Sequence, residues 1–363
     1  NFPGTPLDNL DEFGSSVVSL GDLDGGGPGT HAIAVGAGGD DDGGGDRGAV
    51  YILFLNEAGT VLSSQKISDL VNFPGAPLDN LDDFGTSVAS LGDLDGGGAS
   101  VLALAAGAAF DDDGGIDRGA VYILFLDTAG TVLSLQKLSD TQGNFNDFFS
   151  DLDEFGGALA SMVDIDGTGG GVTALAVGVA GDDDGGEDRG ALHILFLNSD
   201  GTCNASQKIS DFYGNFPVPL GNLDAFGSSL AYLGDLDGAG PSFAAIAVGA
   251  HGDDDGGPAR GAAYILFLDG VANLFTLTYT AGPNGSISGV SRASATSARI
   301  VWLIGAGRPP SSTRWSSNSA PSVAAPLSHR RAQRQALPRF RRSEPAARRS
   351  LESTDRAHAL ALG

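Results

Sequence analysis

The sequence predicts an all-β protein: four-stranded blades repeated along the chain as a partial or open β-propeller, followed by a basic tail without a folded pattern. Three observations carry this. Phe13-Gly14, Phe84-Gly85, Phe155-Gly156 and Phe226-Gly227 recur every 71 residues with no insertion or deletion between them, and a fixed period of this kind marks a repeat architecture. Within each period, four short β-favouring runs alternate with Gly- and Asp-rich breaks. One run per period is apolar on both faces, as a strand sandwiched between neighbouring sheets must be.

In the first unit the runs are Ser16 to Leu20, Ala32 to Val35, Ala49 to Leu55 and Val61 to Ile67. The breaks are Gly25-Gly26-Gly27, the stretch Asp40 to Gly45, and Glu57-Ala58-Gly59. Glycine supplies positive φ, and Asp side chains bond the backbone just ahead of them, so these breaks read as turns of a meander. The third run, Ala-Val-Tyr-Ile-Leu-Phe-Leu, is the buried central strand. No helical period is present. The units begin at Asn1, Asn72, about Gly143 and about Gly214, giving repeats 1–71, 72–142, 143–213 and 214–270. A single four-stranded sheet cannot bury both faces, so each unit must stack on its neighbours, and units of blade size favour a propeller.

Phe-Gly-Ser-Ser-Val, then Leu-Gly-Asp-Leu-Asp-Gly, then Ala-Val-Gly-Ala at 34 to 37, resembles the FG-GAP repeat of integrin α-subunit propellers and bacterial surface proteins. The resemblance covers all four units. It implies seven blades, calcium sites in blade loops, and ligand binding in adhesion. Four units are fewer than seven, so either further blades belong to the assembly or the chain forms an open arc. An open arc exposes sheet faces and is expected to self-associate through its unpaired blades.

Calcium needs six to eight oxygen ligands converging on a tight turn, which suits alternating Asp with Gly between. The candidate ligands are Asp22 and Asp24, Asp93 and Asp95, Asp164 and Asp166, and Asp235 and Asp237. The family loop implied by the resemblance has two further Asp positions. Here one falls on Gly26, Gly97, Gly169 or Ala239, and the other on Ala32, Ala103, Ala174 or Ala245, so two of four expected carboxylates are missing from every unit. The plain alternative is that Asp22 and Asp24 cap the turn.

A second acidic cluster, Asp40-Asp41-Asp42 followed by Asp46-Arg47-Gly48, recurs as Asp111 to Asp113, Asp182 to Asp184 and Asp253 to Asp255. Adjacent carboxylates repel, so a cation must offset them. One reading pairs Arg47 and its equivalents with these Asp residues. The sharper one places a metal between this loop and the Asp22-type loop, with Asp40, Asp42, Asp111, Asp113, Asp182, Asp184, Asp253 and Asp255 as further ligands.

The formal net charge is −25, yet residues 1 to 270 hold 42 acidic and 7 basic residues while the remainder holds 3 and 13. The acidic part excludes nucleic acid and anionic membranes as partners. No apolar run is long enough to span a membrane. The single cysteine, Cys203, excludes an internal disulfide and a Cys-based zinc site. Asn1 reads as the start of an excised or mature fragment. His31, His193 and His251 sit at different places in their units, which argues against a repeated catalytic role, and no nucleophile elbow or phosphate-cradling loop is present.

Beyond the repeats, residues 271–290 contain a Pro-Asn-Gly turn and resemble the opening of a small β-module of internalin-type bacterial surface proteins. Residues 291–363 turn abruptly to Arg, Ala, Ser and Pro. Disorder is expected there, as from a reading-frame shift near Val290 or a basic tail for anionic partners. The expected function is a non-catalytic, extracellular or cell-surface binding module, with a protein or glycan ligand at the blade loops and calcium as cofactor. The alternatives are the accessory propeller of a larger secreted hydrolase and a self-assembling structural array.

Overall fold

The computed structural model of the chain describes residues 7–25, 27, 30–75, 78–98, 100–145, 147–162, 174–236 and 243–269. They form an all-β, four-bladed propeller. Blade 1 contains β1 (Phe13–Gly21), β2 (Thr30–Ala37), β3 (Ala49–Asn56) and β4 (Val61–Ser68). Blade 2 contains β5 (Ser87–Gly92), β6 (Leu102–Ala108), β7 (Ala120–Leu126) and β8 (Val132–Leu138). Blade 3 contains β9 (Phe155–Met162), β10 (Ala174–Val179), β11 (Ala191–Leu197) and β12 (Cys203–Ile209). Blade 4 contributes β13 (Phe226–Gly234), β14 (Phe243–Ala250) and β15 (Ala262–Asp269). Each blade is an antiparallel meander paired in chain order. Among the described residues there is no helix, and so none able to cross a membrane. The truncated module and the basic tail lie outside the described residues.

The β-branched and aromatic side chains of the third run are buried on both faces: Val50, Tyr51 and Ile52 are all sealed. Alternate residues serve opposite neighbours. The forward face of blade 1, with Leu20, Ile52 and Phe54, shares one core with the rear face of blade 2, with Phe84, Tyr122 and Leu124. Blades 2 and 3 share a second core, built by Leu91, Ile123 and Phe125 against Phe155, Leu159 and Val177. Blades 3 and 4 share a third, with Met162 and Ile194 against Phe226, Val248 and Tyr264. The two remaining faces, on blade 1 around Val35, Tyr51 and Leu53 and on blade 4 around Ala245, Ile265 and Phe267, are clusters drawn from one blade each.

A repeated clasp ties each blade to the next. The N–H groups of Leu81, Asp83 and Phe84 donate to the carbonyls of Gly45, Asp46 and Arg47 at 3.0, 3.1 and 3.0 Å. Leu152, Glu154 and Phe155 do the same to Ile116, Asp117 and Arg118, and Leu223, Ala225 and Phe226 to Glu187, Asp188 and Arg189. Leu81 and Asp83 make these bonds at φ of 78° and 54°, and Leu152 and Glu154 at 75° and 62°. Left-handed backbone costs a side-chain-bearing residue roughly 1–2 kcal/mol, which the three bonds offset.

The glycine of the Ala-Val-Gly-Ala element permits close approach. A Cβ on Gly36 would overlap the carbonyl oxygen of Gly85 at 1.9 Å, and one on Gly107 would meet that of Gly156 at 2.1 Å. Ser16 Oγ donates to the same Gly85 carbonyl at 2.8 Å, and Ser87 Oγ to that of Gly156 at 2.6 Å. The Phe-Gly and Val-Gly signatures are thus the two sides of one interblade contact.

Candidate functional site

The meander sorts the acidic loops by end. The Asp22-type loop joins the first and second strands of a blade, and the Asp40-type loop joins the second and third. The eight residues of β2 lie between them, a separation of about 25 Å. One metal ion cannot bridge the two loops, which corrects the sharper reading of the second cluster.

At the first end, the carboxylates organise their own turns. Asp22 Oδ2 accepts the N–H of Gly27 at 3.2 Å, and Asp24 Oδ1 accepts the Thr30 hydroxyl at 2.8 Å. In blade 2, Asp93 Oδ2 accepts from Gly98 at 3.1 Å and Asp95 Oδ1 from Gly97 at 2.9 Å. Asp235 lies at the same place in blade 4, whereas Asp164, Asp166 and Asp237 fall outside the described residues. The donor set is hard oxygen, as calcium prefers, but two carboxylates per loop leave most of six to eight positions to carbonyls and water. At this same end, a cleft of about 360 Å³ opens between blades 2 and 3, floored by Phe125, Leu133 and Leu135 and rimmed by Asp95 and Asp200.

At the other end, the Asp triplets are folded into the protein. Asp40 is 1% exposed; its Oδ2 accepts the Tyr51 hydroxyl at 3.0 Å and pairs with Lys66 Nζ at 2.7 Å. Lys66 also lies 2.7 Å from Asp42 Oδ2, which accepts the Ser68 hydroxyl at 2.9 Å. Lys137 grips Asp111 and Asp113, both at 2.7 Å, and Lys208 grips Asp182 and Asp184 at 2.5 and 2.8 Å. Tyr122 and Tyr264 donate to Asp111 and Asp253 at 3.1 and 2.9 Å. The middle residue does local work: Asp41 Oδ1 accepts the N–H of Asp46 at 2.8 Å.

The offsetting cation is therefore lysine from the fourth strand rather than the arginine. Arg47 points elsewhere, to Asp69 at 2.5 Å and to Asn80 Oδ1 at 3.1 Å. Arg118 bonds Asp140 and Asp151, and Arg189 bonds Asp211 and Asn222. The reason is register: Lys66 lies directly opposite Tyr51 on the paired strand, which brings its ammonium under the loop.

Burial pulls the Lys66 pKa down, but hydrogen bonds to Asp40 and Asp42 outweigh it and the group is held above its ordinary value. Asp42 is held low, its partial burial opposed by Lys66 and Ser68. The Tyr51 hydroxyl is pushed up to about 12 by burial and the charge of Asp40.

Two further features lie outside these loops, and the first was not singled out from the sequence. Asp11, Asp82, Asp153 and Asp224, one per unit in the turn before Phe-Gly, are buried. Each accepts the N–H three residues back, from Asp8, Asp79, Ser150 and Gly221 at 2.6 to 2.8 Å. Burial and then the negative charge of Asp111 raise Asp82 to about 7, and burial raises Asp153 to about 7 and Asp224 to about 6. Their 71-residue recurrence was the available signal. His193 occupies the position of Tyr51, Tyr122 and Tyr264. It is fully buried beside Phe145, Phe149 and Phe155, and burial drives its pKa down to about 3, so it is neutral.

The class these features define is a repeat propeller with one structural acidic end and one exposed acidic end. No family profile matches the chain, and no curated protein matches it.

Proposed function

We propose that this chain is a non-catalytic, extracellular binding module that presents the Asp22-type loops to a protein or glycan ligand, with calcium held in those loops. The observation that carries this reading is the partition of the carboxylates. Those of the Asp40 end are consumed by lysine and tyrosine, whereas Asp22, Asp24, Asp93 and Asp95 sit on exposed or half-exposed turns at one end of consecutive blades. The cleft at that end joins carboxylate acceptors on Asp95 and Asp200 to an apolar floor, a pairing that suits sugar hydroxyls and the carbon face beneath them. The resemblance to adhesion propellers points the same way.

Calcium would be held by the paired Asp carboxylates of each loop, and it would reduce their mutual repulsion and stiffen the rim. With two carboxylates per site the affinity belongs to the weak extracellular class, a Kd on the order of 10⁻⁴–10⁻³ M. The test is calcium titration by calorimetry, with thermal unfolding in calcium and in chelator. Saturation to a hundred times Kd stabilises a one-site fold by about 2.7 kcal/mol. A midpoint rise that vanishes in the D22N/D24N/D93N/D95N variant is expected, and an unchanged midpoint refutes the calcium reading.

A further inference from the structure

The cleft between blades 2 and 3 is where the repeat departs from itself, and the departures share one chemistry. Val101 stands where blade 1 has Thr30, whose hydroxyl occupies Asp24 at 2.8 Å. Valine has no hydroxyl to give, so Asp95 keeps a single bond, from the N–H of Gly97 to Oδ1 at 2.9 Å. Across the cleft, Asp200 replaces Ala129 of the preceding unit. Its Oδ1 takes both the N–H and the hydroxyl of Thr202, at 3.0 and 2.6 Å, and these bonds hold the carboxyl below its ordinary pKa. Oδ2 of each aspartate accepts no hydrogen bond among the described residues.

The floor differs as well: Leu135 takes the place of Ser64 in unit 1 and Ser206 in unit 3, and it joins Phe125 and Leu133 in an apolar surface. Ser134 and Ser199 complete the lining, and neither hydroxyl has a partner among the described residues. No lysine or arginine among the described residues serves this end. Arg47, Arg118, Arg189 and Arg260 lie in the loops of the opposite end, and Lys66, Lys137 and Lys208 reach into the same loops. With 42 acidic against 7 basic residues over 1 to 270, the field at the cleft draws positive charge.

We propose that the cleft binds an amino sugar, a glycan unit whose protonated amine pairs with Asp95 and Asp200 while its carbon face rests on Phe125 and Leu135 and its hydroxyls meet Ser134 and Ser199. This rests on the reading that the Asp22 end is the ligand-binding end, and it adds the charge of the ligand. A neutral sugar leaves both carboxylates without a cation. A lysine side chain satisfies the carboxylates and the floor but leaves the serine hydroxyls idle. The volume of about 360 Å³ is at the lower end for ligand pockets, which suits a short saccharide.

The test is isothermal titration calorimetry of the full chain in chelator, which keeps calcium off Asp95. The probes are the β-1,4-linked trisaccharide of glucosamine, its fully N-acetylated form, and Nα-acetyl-lysine amide. The free-amine trisaccharide is expected to bind about tenfold tighter than the N-acetylated one, as for one charge-assisted hydrogen bond. D200N keeps the Oδ1 acceptor for Thr202, so the turn survives, and it should erase that preference. V101T, which returns a hydroxyl to Asp95, should weaken it, and L135S should weaken both trisaccharides alike. E57Q removes one exposed charge from the same end outside the cleft and should bind as wild type. Equal binding of the two trisaccharides overturns the amino-sugar proposal and leaves the glycan reading standing, whereas no binding of either overturns both. Tighter binding of the lysine amide assigns the cleft to basic peptides, and a loss shared equally by D200N and E57Q reduces the attraction to bulk charge. Either result overturns the proposal.

Discussion

Replacing Lys137 by Met tests the buried ion cluster most directly. Lys137 Nζ lies 2.7 Å from both Asp111 and Asp113, and Asp111 is 2% exposed in a blade covered on both faces. Burial pulls the Lys137 pKa down, but the charge of Asp111 and hydrogen bonds to Asp111 and Asp113 hold it raised. Without it, Asp111 keeps the Tyr122 hydroxyl and the N–H of Asp113, at 3.1 and 3.0 Å, but no cation, while Asp82 still bears on it. An uncompensated buried charge costs about 3–5 kcal/mol. Neutralising Asp111 as well removes most of that penalty, so D111N/K137M should lose only about 1–2 kcal/mol. Adding D111N to K137M is thus expected to restore roughly 2–3 kcal/mol, measured by urea unfolding of the four members of the cycle at pH 7. If K137M falls within about 1 kcal/mol of wild type and the two changes simply add, the cluster is worth no more than a surface pair and the reasoning fails.

Two further outcomes are expected. H193Y alone should destabilise, because blade 3 carries Phe149 where blades 2 and 4 have Leu78 and Leu220, and the larger phenylalanine fills space that tyrosine needs. H193Y/F149L should recover that loss and add about 1 kcal/mol through a new hydroxyl bond to Asp182, checked by thermal unfolding of both variants. For pH, Asp82 and Asp153 are raised from 3.8 to about 7. Their contribution to stability is therefore full below about pH 4 and is lost as pH rises toward 7. D82N should be more stable than wild type at pH 7 and converge on it near pH 4, seen in urea midpoints across that range.

The blades were legible because each signal is local. The run Ala49 to Leu55 is the strand Ala49–Asn56, and Val61 to Ile67 is Val61–Ser68. Boundaries moved where pairing within the blade extends a strand: Ser16 to Leu20 became Phe13–Gly21, since Phe13 pairs with Ala37 across a bulge. The Asp-rich loops were legible as positions but not as partnerships. Arg47 stands beside Asp46 in sequence and was the natural partner for the triplet, yet the register of β3 with β4 hands that role to Lys66, 26 residues away from Asp40. Tyr51 read as one more apolar core residue, and only its hydroxyl position beside Asp40 shows its polar duty. Strand alternation alone would have shown that the two acidic loops lie at opposite ends of a blade.

The clasp also bears on how the chain acquires its shape. Arg47 reaches Asn80 across 33 residues, and Phe84 reaches Arg47 across 37, so every junction joins segments that are close along the polypeptide. Loop closure over such spans is modest in entropic cost. Blades can therefore be added one after another as the chain emerges from the ribosome, each templated by the arginine turn of its predecessor. Assembly of this kind propagates like a linear array, and its folding rate is set by the single junction rather than by the number of blades.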